Sequence, residues 1–127
     1  MKFDKYDNDS LINFYIENGL EFDERKKYFG NNIRSFALLE NENIIGAVSI
    51  SIYKGKSFIE ALAVDKKYRN RGVGKKLLKD AIDKYNAIDL VVKKDNKVAF
   101  NLYKKYGFVI IDDGNNDKEY WMKLKRY

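Results

Sequence analysis

The sequence predicts an α+β (layered α/β) fold, a central mixed and mostly antiparallel sheet with helices on both faces. Three observations lead there. Between Arg34 and Val64, apolar and β-branched runs are separated by connections too short for crossovers, so they pair as antiparallel neighbours. After Gly72 the apolar residues fall at helical spacing. Beyond that helix, short apolar runs alternate with a second helical stretch, which requires a sheet covered by helices.

With 127 residues, no proline, no Gly/Ser-rich linker and no internal repeat, residues 1–127 form a single domain. The first thirty or so residues read as short helices. Asn8-Asp9-Ser10 offers a cap for Leu11, Ile12, Phe14, Tyr15 and Ile16, and a second segment, Phe22 to Phe29, stops at Gly30. Three strands follow. They are Arg34–Leu39, Ile44–Tyr53 (alternating with serine from Val48 to Ile52) and Ser57–Val64, joined by polar turns at Asn41-Glu42-Asn43 and Lys54-Gly55-Lys56. Val73, Leu77, Leu78, Ala81, Ile82 and Tyr85 mark the inner face of a helix. Ile88–Val92 is continuously apolar and reads as a buried strand. Asp95 or Asn96 caps a helix whose inner face is Ala99, Leu102, Tyr103 and Tyr106, and Gly107 ends it. Phe108–Ile111 and Tyr120–Leu124 complete the sheet.

Composition narrows the chemistry. Hydrophobic residues make up 45% and aromatics 15%, enough to build a core. There is no cysteine, which removes disulfides, thiolate metal sites and a thiol nucleophile, and no histidine, which removes the commonest general base. Proton transfer falls to Asp, Glu, Tyr, Lys or water. No metal site is expected. The charged start Met1–Lys5 and the lack of a long apolar run favour a cytoplasmic protein without a membrane partner. A net charge of +6 favours anionic partners without choosing among them.

The choice sharpens where Val64 gives way to the helix near Gly72. Glycines at 72 and 74 let backbone approach a ligand, and unpaired N–H groups at a helix start attract anions. Arg69, Arg71 and Lys75 add positive charge, so the turn suits phosphate or pyrophosphate. A P-loop ending at Gly74-Lys75 would need glycine at Arg69 and a hydroxyl at Lys76. A dinucleotide fingerprint starting at Gly72 would need glycine at Leu77. Both fail.

Arg69-x-x-Gly72-x-Gly74 after Leu62-Ala63-Val64 instead resembles the coenzyme A pyrophosphate loop of the GNAT acetyltransferases. The stretch Asn96-x-x-Ala99-x-x-x-Tyr103-x-x-x-Gly107-Phe108 is similar to a second signature of that family, and the element order from Arg34 to Leu124 agrees. The resemblance implies an acetyl-CoA-dependent N-acetyltransferase moving an acetyl group to a primary amine. It implies pyrophosphate contacts from Arg69, Asn70, Arg71, Gly72, Val73, Gly74 and Lys75. It further implies a bulge-induced splay between Phe58–Val64 and Ile88–Val92, with the pantetheine arm held by the backbone of Leu62, Ala63 and Val64 and faced by Asn96.

Glu60 is the only ionisable residue between Phe58 and Val64, and a carboxylate there is costly unless hydrated or paired. The resemblance makes it the base, directly or through water, and makes Tyr103 the acid for the leaving thiolate. The alternatives are an edge-facing Glu60 that is solvated or paired with a lysine, and a core tyrosine. The lack of cysteine and histidine fits direct attack in a ternary complex.

Two other functions compete. One is a non-catalytic acyl-CoA-binding module. The other is a basic nucleic-acid-binding domain using Lys66, Lys67, Arg69, Arg71, Lys75, Lys76 and Lys79, disfavoured because no nucleic-acid-binding signature accompanies these charges. The acceptor, a small molecule or a peptide amine, is not specified. Tyr15, Tyr28 and Tyr53 are equally candidates for an aromatic cleft wall and for the core. A homodimer through Tyr120–Leu124 is a further possibility that the resemblance raises.

Overall fold

The computed structural model describes residues 2–6, 8–20, 33–111 and 117–125. Two tight turns organise the sheet. Asn41, Glu42, Lys54 and Gly55 have φ of 51°, 67°, 50° and 79°, the sign required by the hairpin turns whose twist matches that of the strands. They join β2 (Ile33–Glu40), β3 (Asn43–Tyr53) and β4 (Lys56–Val64) into the expected antiparallel meander.

The N-terminus departs from expectation. Residues Lys2–Tyr6 form a strand, β1, where only helices were read. It pairs antiparallel with β2 from Lys2↔Leu39 to Tyr6↔Ser35. Five residues with two lysines and an aspartate carry little strand signal, and the pairing edge is supplied from 29 to 37 positions away. Helix α1 (Asn8–Glu17) follows, with Asn8-Asp9-Ser10 inside its first turn. The segment expected from Phe22 to Phe29, with its stop at Gly30, lies outside the described residues, as does Tyr28.

Helix α2 (Val73–Tyr85) crosses to β5 (Asp89–Lys93), which runs parallel to β4. Helix α3 (Lys97–Tyr106), β6 (Phe108–Ile110) and β7 (Glu119–Leu124) complete the chain. Among the described residues the sheet has seven strands in the order β1-β2-β3-β4-β5-β7-β6. Strand β7 is therefore paired on both edges, and β6 forms the sheet edge at that end. A dimer extending the sheet would use β6, not the Tyr120–Leu124 strand. Strand β5 also differs from the continuously buried run expected. Leu90 and Val92 are buried while Val91 between them is only half-buried.

The two faces of the sheet are packed differently. On one, Val73, Leu77, Leu78, Ala81 and Ile82 of α2 bury against Phe36, Leu38, Val48 and Ile50. On the other, Leu11, Phe14 and Tyr15 of α1 sit on Ala37, Ala47, Ala61 and Ala63, whose small side chains let the helix approach closely. Tyr15 is fully buried here, so it is a core residue and not a cleft wall. Its hydroxyl lies 2.7 Å from Ser49 Oγ, which in turn lies 2.8 Å from Ser35 Oγ. The bonds offset the cost of burying a phenol on an apolar helix face. No helix among the described residues is long and apolar enough to cross a membrane.

Helix α2 approaches β3 closely at Gly46. A Cβ there would stand 2.7 Å from Val73 Cγ1 and 3.0 Å from Leu77 Cδ1. Val73 is β-branched and held in the core, so it yields little. Gly46→Ala is therefore expected to lower unfolding stability by about 1–3 kcal/mol in denaturant melts. An unchanged midpoint would contradict this contact.

Candidate active site

The site begins with one extra residue. Ser49 faces Ala61 and Ile50 faces Ile59, so Glu60 has no residue of its own across the β3–β4 ladder. This is a β-bulge, which bends its strand and re-aims side chains. Its effect on the neighbour is visible at once. Strands β4 and β5 pair only at Phe58↔Asp89 and Ile59↔Leu90. From Glu60 onward they diverge, and β5 continues with β7 alone.

The fork opens a cleft of about 1020 Å³ that reaches Glu60, Val91 and the C-terminal end of α1. A second cavity of about 350 Å³ continues toward the start of α2. Leu62, Arg69, Asn96 and Val98 line both, so the two form one passage along the fork.

Glu60 is half-buried in the cleft wall, and Ser51 Oγ donates to its Oε1 at 2.7 Å. Ser49 bonds Tyr15 of α1, so the serines at 49 and 51 mark the α1 face of β3; the bulge turns Glu60 to that same face. Beyond it, Leu62, Ala63 and Val64 pair with Val48, Ala47 and Gly46 on one side only. Their other edge faces the fork. The carbonyl of Val64 accepts a 3.2 Å bond from Arg69 Nε, which ties the following loop back to the strand.

That loop is built to end at an open helix start. Asp65 accepts from Lys67 N at 2.9 Å and caps a short 3₁₀ turn, Lys66–Tyr68. Asn70 and Gly72 then take φ of 64° and 81°, a conformation that favours glycine. Gly72 is the N-cap of α2 and offers no side chain to the helix. The first helical bond runs from Lys76 N to Gly72 O at 3.0 Å. The N–H groups of Val73, Gly74 and Lys75 thus have no intrahelical acceptor, and the helix dipole places partial positive charge on them.

The side chains of the turn have separate duties. Val73 is buried in the core, leaving only its backbone to the site. Helix α3 packs closely on Gly74, where a Cβ would lie 2.7 Å from Leu102 Cδ2 and 3.4 Å from Val64 Cγ2. Lys75 and Arg71 are exposed, and the Arg71 guanidinium lies 5.4 Å from the Tyr68 ring centroid.

Helix α3 forms the opposite wall. Asn96, not Asp95, caps it, accepting from Ala99 N at 3.2 Å through Oδ1. Tyr103 is 4% exposed and packs on Phe108 with ring centroids 5.7 Å apart. Burial pushes its hydroxyl well above the usual tyrosine range. The residue lines the larger cleft, and among the described residues no fully buried side-chain polar atom lacks a partner. Its hydroxyl bonds no described residue, so it opens into the cleft. Tyr106 is half-buried and packs against the core.

Several lining residues carried no sequence signal for a site. Ser51 was readable only as part of a strand alternation, and Phe58 and Trp121 only as apolar strand positions. Ile16 lies in the last turn of α1, at the cleft. Tyr53, read as a candidate wall, lines the cleft with 63% exposure, and Lys54 Nζ lies 5.4 Å over its ring. Of the large exposed apolar side chains, Ile16, Tyr53, Val98 and Trp121 all border this cleft.

Comparison with known proteins agrees with this arrangement. The model of the Acetyltransferase (GNAT) family matches residues 4–108. Streptothricin acetyltransferase A of Bacillus subtilis is 33% identical over 114 residues, covering 85% of this chain and 59% of that protein. The L-amino acid N-acetyltransferase AaaT of Escherichia coli is 35% identical over 72 residues, covering 52% and 43%. The chain thus spans well under two thirds of the length of these relatives. Among solved structures, the paia N-acetyltransferase of Thermoplasma acidophilum in complex with coenzyme A superposes with a TM-score of 0.73 at 21% identity, covering 99% of this chain and 100% of that one. A GNAT family acetyltransferase from Elizabethkingia anophelis with acetyl-CoA bound gives 0.73 at 19%, covering 98% and 97%. The family match over most of the chain, together with this shared fold, establishes that the chain belongs to the GNAT family of acetyltransferases.

Proposed function

We propose that the protein is an acetyl-CoA-dependent N-acetyltransferase acting on a primary amine by direct attack in a ternary complex. One observation carries the reading: the fork that opens at Glu60 runs without interruption to the uncapped start of α2. An extended thioester with an anionic tail has the matching shape and charge distribution.

The pyrophosphate takes the N–H groups of Val73, Gly74 and Lys75, with Asn70 and Gly72 shaping the turn. Arg69, Arg71 and Lys75 contribute charge that a diphosphate neutralises. The pantetheine amides bond the free edge of β4 at Leu62, Ala63 and Val64, replacing the strand partner that the bulge removes. Asn96 borders the same arm. A backbone N–H on this edge polarises the thioester carbonyl.

The amine enters from the wide part of the cleft. Its lone pair attacks the carbonyl carbon, forming the C–N bond, and Glu60 takes the proton, directly or through one water. The C–S bond then breaks and the electron pair leaves on sulfur. Tyr103 donates to that sulfur. A tyrosine hydroxyl is protonated at neutral pH without any shift, and the burial that raises its pKa makes the proton harder to release. The same burial penalises tyrosinate, so the proton moves only as charge develops on sulfur. The products are an amide and free coenzyme A. The apolar border of Ile16, Tyr53 and Trp121 favours an acceptor with a hydrocarbon or aromatic body beside its amine. Relatives named as a streptothricin acetyltransferase and an L-amino acid N-acetyltransferase support an acceptor of the amine class.

Incubation with acetyl-CoA and a panel of primary amines and peptide N-termini is expected to release free thiol. Silence across the panel, with acetyl-CoA still bound, would instead favour an acyl-CoA-binding module. With an active acceptor in hand, Tyr103→Phe is expected to lower kcat by about tenfold or more while leaving the acetyl-CoA Kd unchanged. Normal turnover with a reduced melting temperature would return Tyr103 to a purely core role.

A further inference from the structure

We propose that Ser51 is a positioning residue for Glu60, holding one carboxylate oxygen so that the other is presented to the incoming amine. The inference rests on the reading of Glu60 as the base and adds a residue that the pattern of family motifs does not contain.

The geometry begins with the bulge. An ordinary strand residue has a cross-strand neighbour that packs its side chain, but Glu60 has none, because Ile59 and Ala61 use the partners on β3. A glutamate carries three rotatable side-chain bonds, and holding it in one geometry costs rotamer entropy. Something must supply the restraint. Ser51 does so, with its Oγ 2.7 Å from Oε1. A bond to a charged acceptor of that length is among the stronger side-chain hydrogen bonds.

Ser51 is itself well placed for the task. It is 6% exposed, sits on β3 beside the bulge and lines the cleft, so its hydroxyl is fixed by a rigid strand. A hydroxyl has one proton to donate, and here it is committed to the carboxylate. Water in the cleft can solvate Glu60, but it cannot fix the direction of the second oxygen.

The alternative is that Ser51 only satisfies a polar position in the sheet. Ser49, two residues earlier on the same face, provides the contrast. It is buried as well, yet its bonds go to Ser35 and Tyr15 and none reaches Glu60. A role in stability alone would make the two serines equivalent. A role through Glu60 separates them.

The test is a double-mutant cycle read as kcat and as the KM of each substrate, varied in turn with the other saturating, using an active acceptor. Ser51→Ala is expected to lower kcat about tenfold, the size of a lost bond to a charged group, with the acetyl-CoA KM unchanged. Glu60→Gln should lower kcat further, and adding Ser51→Ala to it should cause no additional loss. Ser49→Ala should lower the melting temperature and leave kcat at the wild-type value. Multiplicative losses in the double variant, an unchanged kcat for Ser51→Ala, or a matching kcat loss for Ser49→Ala would each overturn the role of Ser51. Full turnover by Glu60→Gln would instead overturn the base assignment on which it rests.

Discussion

The ladder between β3 and β4 contains one residue too many, and the rest of the site depends on it. By giving Glu60 no partner, the bulge bends β4 away from β5 after two paired residues. A continuous parallel pair would have no room for a ligand between its strands. Among the described residues the divergence leaves β4 without a strand partner on its β5 side after Ile59, and unpaired backbone is costly unless water or a ligand takes its place. The same distortion delivers a carboxylate to the cleft wall. Cavity, backbone hydrogen-bonding edge and ionisable group thus share one structural cause.

The sheet is packed on both of its faces. The α1 face is pinned through Tyr15, Ser49 and Ser35, and the alanines beneath α1 let that helix lie close to β4. On the other face, α2 presses against β3 at Gly46 and against α3 at Gly74. Both approaches fix where α2 begins. The open N–H groups after Gly72 therefore point at one place, adjacent to the end of β4, and Arg69 anchors the intervening loop on the Val64 carbonyl. A helix start at the mouth of a fork suits a long ligand with an anionic end. A compact ligand would leave part of the passage unused.

Much of this could be read from the sequence because it is local. The meander, the α2 stripe from Val73 to Ile82, the Asn96 cap and the stop at Gly107 are each written in neighbouring residues, and so is the glycine and arginine pattern from Arg69 to Gly74. What escaped is nonlocal. Strand β1 exists because β2 offers an edge, not because Lys2–Tyr6 has a strong strand pattern. The half-exposure of Val91 follows from the fork. Tyr15 could face cleft or core by sequence alone, and only the serine beneath it decides. Gly74 read as a gap for a ligand, and Leu102 of α3 also packs against it. The contact between Ser51 and Glu60 depends on the bulge register, which no single segment records.

The central claim is that the fork and the open start of α2 form one binding track for coenzyme A. Titration of the isotopically labelled protein with coenzyme A, followed by backbone amide resonances, tests it directly. Saturable shifts are expected in two groups together, Val73, Gly74 and Lys75 at the helix start and Leu62, Ala63 and Val64 along the free edge of β4. Shifts confined to exposed lysines such as Lys76 and Lys79, weakening with salt and leaving β4 unmoved, would contradict it and reduce the turn to a nonspecific anion surface.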